Sequence, residues 1–525
     1  MENHVIGSKI LKKEQVLISI FIIAILVMSS GSMVAFAKSN TYVVSPSGDK
    51  TGATDTAAIQ AALNKCTTGT PQCVVQLVKG TYVISSQITV YGFQGSFVGA
   101  GQGVTIIEAP YSLPPPEYNT AAAPYRSVLP GPSNPWPNLF TFVGGSFSIY
   151  GMTITVPNPL PISSPGWYCP CAYSYSTSLL AAIEVTGGEY LTPTEQQSPQ
   201  VSANIDHVTV VGASGGDSNG NNLWSGILYA GEFLPPDWTN AITQVILISG
   251  TFSLTNSVFN AMGWQGGPWV DAVEDATVTI CYNTAVNNPG FTYGFFDSYA
   301  STLTFCGNKG SADMYTNVMI GQQDVDVPSP PGASPSTVYV TGNNFYASQG
   351  ASAVALFSGG VPFNAVVSGN MLTTDSTCTP TLQAEGWCYN YPTPEWYSAV
   401  VVAYGLSNVD VSHNIIFGGG AGSTRVPASG IYIAGGPGQV SGNIITGSYN
   451  GVWVDTATDV QVTHNTVLAS ANYGIALTDT SSSNVIAHDV VMHSVVDDLY
   501  WDGTGSNNQW CGNVYTTSSP SGLTC

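Results

Sequence analysis

The chain has 525 residues, 44% of them hydrophobic, and a mean hydropathy of +0.15, so it can bury a large core and is not a disordered polymer. Only 8% of residues are charged, and 31 Asp and Glu against 10 Lys and Arg give a net charge of -21. That balance repels phosphate backbones and excludes nucleic acid as a partner, while it fits a solvated acidic surface, cation binding, or a neutral or basic ligand.

The first element is a targeting segment. Lys9, Lys12 and Lys13 precede an apolar run over 16–28, and small residues then lead to Ala35-Phe36-Ala37. The run falls short of the roughly 20 residues a spanning helix needs. Residues 1–37 are therefore expected to be a signal peptide, with an uncleaved anchor as the alternative and the sole membrane contact. Cleavage leaves 38–525 as a single exported domain with a net charge of about -22. Export places the 10 cysteines in an oxidising compartment. Close spacing then suggests the disulfides Cys66–Cys73, Cys378–Cys388 and Cys511–Cys525. Cys169-Pro-Cys171 has neither redox nor zinc spacing.

A short helix follows near Asp55, a good N-cap, with Ile59, Ala62 and Leu63 on one apolar face. It is expected to cover the open end of the first coils, which occupy 41–110. Beyond it helical periodicity nearly vanishes, and runs of alternating Val, Ile, Thr and Tyr punctuated by Gly and Asn predict strands. Four insertions, 110–138, 157–178, 324–336 and 376–396, are rich in Pro and carry Trp136, Trp167, Trp387 and Trp396. They read as ordered loops on a rigid stack, where function concentrates.

Between 200 and 515 one phrase recurs, an alternating strand ending in a turn with asparagine. Its copies end on Asn256, Asn283, Asn308, Asn343, Asn370, Asn414, Asn443 and Asn465, with Asp489 substituting in the last. Separations cluster near the low twenties and lengthen where insertions intervene, which is one coil per repeat. A second strand type precedes each asparagine, as in Gly430-Ile431-Tyr432-Ile433 and Gly451-Val452-Trp453-Val454. Parallel stacking lets the turn asparagines bond one another along the stack. Cys281 and Cys306 each lie two residues before their asparagine, so they share a rung within disulfide reach. His207, His413, His464 and His488 recur at the turn position before the ladder residue, which favours a turn role over catalysis.

On these residues the chain resembles the pectin-lyase-like superfamily. Residues 48–63, with Gly48-Asp49 and Asp55, resemble the opening module of the pectate-lyase superfamily, followed by Val78-Lys79-Gly80-Thr81-Tyr82 and Val98-Gly99-Ala100-Gly101. The tail around Trp510-Cys511-Gly512-Asn513 resembles the close of generic β-helix repeat proteins. The resemblance covers most of 41–515 and implies an all-β fold, a right-handed single-stranded parallel β-helix with a short capping helix.

Polysaccharide cleavage needs paired carboxylates, or a base, often with a bound cation. The richest acidic stretch is Trp264 to Asp275, with Trp269, Asp271 and Asp275, followed a coil later by Tyr293, Asp297 and Tyr299. Counting back from the turn asparagine aligns Asp271 with Trp453 of a later coil, and Asp297 one place off, with Val454. Asp271, Asp297 and Asp275 are the candidate catalytic or cation-binding acids; Trp224, Trp264, Trp269, Tyr293 and Tyr299 are the candidate sugar-stacking residues. Family motifs are incomplete: Asp497-Asp498 is the one Asp-Asp pair, the arginines are Arg126 and Arg425, and Tyr293-Gly294-Phe295 is followed by Phe296-Asp297-Ser298 where mannuronan epimerases have Asp-Pro-His. The expectation is an extracellular or cell-surface protein that binds, and cleaves or modifies, a polysaccharide or surface glycan, with lyase, hydrolase and epimerase chemistry open and calcium as a candidate cofactor. The alternative is a non-catalytic adhesive β-helix. Oligomeric state is not set by the sequence.

Overall fold

A computed structural model describes residues 40–67, 73–108, 130–131, 134–135, 138–155, 181–187, 200–212, 225–230, 232–234, 244–246, 248–260, 265–288, 293–312, 318–321, 334–347, 352–357, 363–375, 398–403, 408–418 and 428–525. Residues 1–37, expected to be a signal peptide, and Trp224, Trp264, Cys378, Cys388 and nearly all of the four insertions lie outside these residues. For Asp271, Asp297, Tyr293 and Tyr299 the description is of the backbone.

Strands pair almost entirely in parallel, each with its equivalent one coil away, and the chain is the expected right-handed β-helix. Every coil of the regular part contributes three strands. Ile431–Ala434, Gly438–Ser441 and Ile444–Thr446 make one coil, and Val452–Asp455, Val460–Thr463 and Thr466–Leu468 the next. Partners fall strictly in register: Ile431 with Val452, Val440 with Val462, Ile445 with Val467. The inward residue at each of these positions is 0% exposed, so stacking alone buries the apolar half of every strand. In the early coils the core is aromatic, with Phe142 lying 4.8 Å from Phe147 and 5.6 Å from Phe93 between ring centroids. Thr41–Cys525 forms one compact unit. No helix among the described residues is long and apolar enough to cross a membrane.

The helix α1 (Ala53–Leu63) buries Ile59 and Leu63 completely. It also caps the open strand edge by imitation. The Gln60 amide donates to the Thr89 carbonyl (2.9 Å) and accepts from the Thr89 N–H (3.2 Å), replacing a missing strand. Its N-cap is Gly52 in the left-handed region (φ 80°), not Asp55. Asp55 lies in the first turn, where its carboxylate accepts the N–H groups of Ser47 (2.8 Å) and Val83 (3.0 Å), so it ties the helix to the first coil.

The turn between the second and third strands carries the asparagine ladder. From Asn308 to Asn465 each asparagine amide donates to the next rung and to a main-chain carbonyl, and each side-chain oxygen accepts twice. Asn414, for example, donates to Asn443 Oδ1 (3.0 Å) and Val367 O (2.8 Å) and accepts from the N–H and the amide of Asn370 (3.0 and 2.9 Å). All four polar valences of a buried amide are thus met. The first rung is Ser257, not Asn256: Ser257 N–H donates to Asn283 Oδ1 (2.9 Å), while Asn256 occupies the preceding position at φ 50°. That preceding position is left-handed throughout, which explains its population by Gly, Asn and His. His207, His413, His464 and His488 have φ of 52° to 60° there.

Disulfides join Cys66 to Cys73, Cys281 to Cys306 and Cys511 to Cys525. Cys281 and Cys306 are direct register partners.

Candidate functional site

The outward face of the first strand stack gathers the chemistry, and it is best defined in the late coils. Register runs Tyr432, Trp453, Ala476, Tyr500 along one column and Ala434, Asp455, Thr478 along the column two residues on. Side chains alternate, so both columns point away from the core that Ile433 and Val454 fill. Asp455 is nevertheless only 7% exposed, because its neighbours close over it. Tyr432 Oη donates to Asp455 Oδ2 (3.0 Å) and Thr478 Oγ1 to Asp455 Oδ1 (2.6 Å), while the Trp453 indole N–H donates to Thr478 Oγ1 (2.8 Å). Tyr432 and Trp453 meet edge to face, 5.0 Å apart at 67°. Both Asp455 oxygens are therefore held, and the carboxylate is fixed in orientation.

One coil further, Asp479 sits exposed at φ 51°, with its N–H donating to Asp502 Oδ2 (2.9 Å). A hydrogen bond to Asp455, and then that group's negative charge, raise the Asp479 carboxyl above the usual range. For Asp502 burial works upward, but the hydroxyl and N–H of Thr504 and the N–H of Asp479 outweigh it and hold the group low. The arrangement is a pair of carboxyls on neighbouring coils, of which Asp479 keeps its proton to a higher pH than an ordinary aspartate, beside a third, Asp502, that is held low. At the other end of the strand Tyr473–Thr478, Tyr473 and Tyr500 stack face to face, 4.0 Å apart and 6° from parallel. Such flat rings suit the C–H face of a sugar.

The same outward side of the early coils holds a second carboxyl. Glu184, 2% exposed, accepts from the Asn138 amide and from Thr141 Oγ1 (2.9 Å), which itself accepts from the Gln87 amide (2.8 Å). Burial pushes Glu184 up to about 7, against those two hydrogen bonds.

The register corrects the alignment of Asp271. It pairs with Ala230 and Phe296 and, rung by rung, shares the column of Asp455; Trp269 shares that of Trp453. Counting back from the asparagine misplaces it because the corner after the strand is two residues longer in the early coil than in the later one. The tripeptide Trp-Val-Asp at 269–271 and again at 453–455 is the signal that was there to find. Asp297 lies one place beyond the register partner of Asp271, so the two do not form a single rung. Trp269 is 6% exposed, too enclosed to offer a ring face to a ligand, and so is not a stacking platform. Asp275 is exposed at φ 44°, on the corner after the strand. Among the described residues no group of three or more His, Cys, Asp or Glu is placed to hold a metal ion. The network of Asp455, Asp479 and Tyr432 and the enclosed Glu184 were missed.

A family model described as a right handed beta helix region matches residues 333–514. No curated protein sequence matches the chain. Among solved structures the chain is similar to the A-module of mannuronan C-5 epimerase AlgE6 from Azotobacter vinelandii, at 13% identity and a TM-score of 0.43 over 89% of this chain and 95% of that one. It is similar to tailspike protein 3 of bacteriophage CBA120, at 11% identity and a TM-score of 0.48 over 87% and 58% of the two chains. It is also similar to DFA-IIIase from Arthrobacter chlorophenolicus A6, at 14% identity and a TM-score of 0.42 over 85% and 94%. Three parallel strands per coil, the buried ladder and the matched region define the class, a right-handed parallel β-helix.

Proposed function

We propose that this is an exported β-helix that acts on a polysaccharide lying along the outward face of its first strand stack. The observation that carries the reading is the carboxyl pair of Asp455 and Asp479, on the strand stack that also carries the stacked rings of Tyr473 and Tyr500. Asp479, exposed and protonated to a higher pH than an ordinary aspartate, is suited to give a proton to a leaving glycosidic oxygen. Asp455, locked by Tyr432 and Thr478, holds that proton on Asp479 through a hydrogen bond and its negative charge until the glycosidic C–O bond breaks; the leaving oxygen then takes the proton, Asp479 becomes a carboxylate, and water adds to the sugar carbon. The Trp-Val-Asp unit recurs in register at 269–271 and 453–455, so the same two outward columns carry it in early and late coils. Turnover of pectin, alginate, xylan and other glycans by the chain lacking 1–37, read as new reducing ends or unsaturated ends, with and without calcium, tests the reading. Asp479→Asn is expected to abolish turnover and leave binding intact. Retention of a glycan with no turnover, unaltered in Asp479→Asn, supports instead the adhesive reading, which the full hydrogen bonding of Asp455 also suits. Failure to bind any glycan refutes both.

A further inference from the structure

The polar interior of this stack is held without cations. The chain has 10 Lys and Arg among 525 residues, and an ion pair seen among the described residues, His207 with Asp206, uses a histidine. Carboxylates are instead tied by hydroxyls and amides, as Asp455 is by Tyr432 and Thr478. Acid denatures proteins largely by breaking ion pairs and by leaving many mutually repelling cations, and this chain has little of either to lose.

Asp489 shows the other side of the same design. It occupies a rung of the asparagine ladder and is 0% exposed. Its Oδ1 accepts the N–H of Asn465 (2.7 Å) and the Asn465 amide (2.9 Å), and its own N–H donates to Asn513 Oδ1 (2.9 Å). Its Oδ2 has no partner. That atom stands where the rungs from Asn283 to Asn465 put an NH2 that donates to a carbonyl and to the next rung, so its surroundings are built to accept. A carboxylate oxygen there is orphaned, whereas a protonated one is a donor and completes the ladder. Glu184 at the other end of the stack is enclosed in the same way, facing Asn138, Thr141 and the Leu228 rung. The titratable groups around Asp489 are His464 and His488 on the outside of the turn, their exposed rings 5.3 Å apart. Neither enclosed carboxyl has an ion-pair partner among the described residues.

We infer that this protein is built to stay folded in acidic surroundings, with Asp489 and Glu184 completing the stack as neutral acids, and that it loosens as they ionise. Burial raises each to about 7. The sign follows from linkage: above the pKa of an ordinary carboxyl the unfolded chain has released a proton that the folded chain still holds, so rising pH favours unfolding until about 7. Carboxylates held low by hydrogen bonds, such as Asp502, act in the opposite direction and lose their contribution only at the acid extreme. Maximal stability therefore falls between about pH 3 and about pH 5.

The test is the thermal midpoint of the disulfide-intact chain from about pH 3 to about pH 9, for the wild type, Asp489→Asn and Glu184→Gln. The expected wild-type midpoint is highest near pH 4 and falls by several degrees between pH 5 and pH 8. Each variant removes part of that fall while matching the wild type at pH 4. The fall persists in high salt, because it comes from burial and not from long-range repulsion within a chain of net charge -21. A midpoint that is flat or rises from pH 5 to pH 8, a fall abolished by salt, or a fall kept by both variants overturns the inference. No glycan is involved, so the outcome is independent of the proposed activity.

Discussion

Replacing Asn414 by Ala removes four hydrogen bonds at once: donations to Val367 O and Asn443 Oδ1, and acceptance from the N–H and the amide of Asn370. At about 1 kcal/mol net for each bond, and with the buried N–H of Asn370 left unpaired, the expected loss is about 4 to 6 kcal/mol. That is several times the cost of a typical single substitution. The stack couples each coil only to its neighbours, so the damage should be local, opening the junction between the Asn370 and Asn443 coils. Hydrogen exchange reads this directly, as lost protection at the Asn370 amide, while denaturant titration reads the global loss. Asn414→Ser should recover part of it, because Ser257 holds a rung with a hydroxyl that accepts from Val208 N–H (3.1 Å) and donates to Thr255 O (2.8 Å). A loss below about 1 kcal/mol, or unchanged exchange at Asn370, would mean that the ladder is incidental to a fold held by apolar burial alone.

Cys306→Ser opens a loop with a sequence separation of 25. Chain entropy puts the cost at about 3 kcal/mol, to be read as a lower melting midpoint that reductant no longer changes through this bond. Gly474→Ala places a Cβ 2.1 Å from Val491 Cγ1 and 2.5 Å from the Asp498 carbonyl, so two coils must separate, at about 2 to 3 kcal/mol in a denaturant titration. His413→Gly relieves a side chain held at φ 57° and is expected to add up to about 1 kcal/mol of stability. Unchanged glycan turnover in that variant would separate the turn histidines from any catalytic role.

The sequence by itself determined the repeat. Alternation, the recurring asparagine and the scarcity of helix signals specify parallel coils, because each strand must bury one face and each turn must satisfy its own amide. Cys281 and Cys306, counted from their asparagines, fall on one rung in the structure as well, since the intervening strand has equal length in both coils. Across longer stretches that counting failed. Asp271 belongs to the column of Asp455, because corner lengths differ between coils and only main-chain pairing sets the register from strand to strand. Ser257 likewise took the rung that Asn256 seemed to hold, by a slip of one residue. Enclosure was equally invisible. Glu184 reads as an isolated acid and Asp489 as a substitute in the repeat, yet each is sealed among groups 24 to 46 residues away on neighbouring coils, and it is desolvation that alters their chemistry. Composition and period thus fix what a coil is, whereas the register between coils decides which side chains meet, and so where a proton is held.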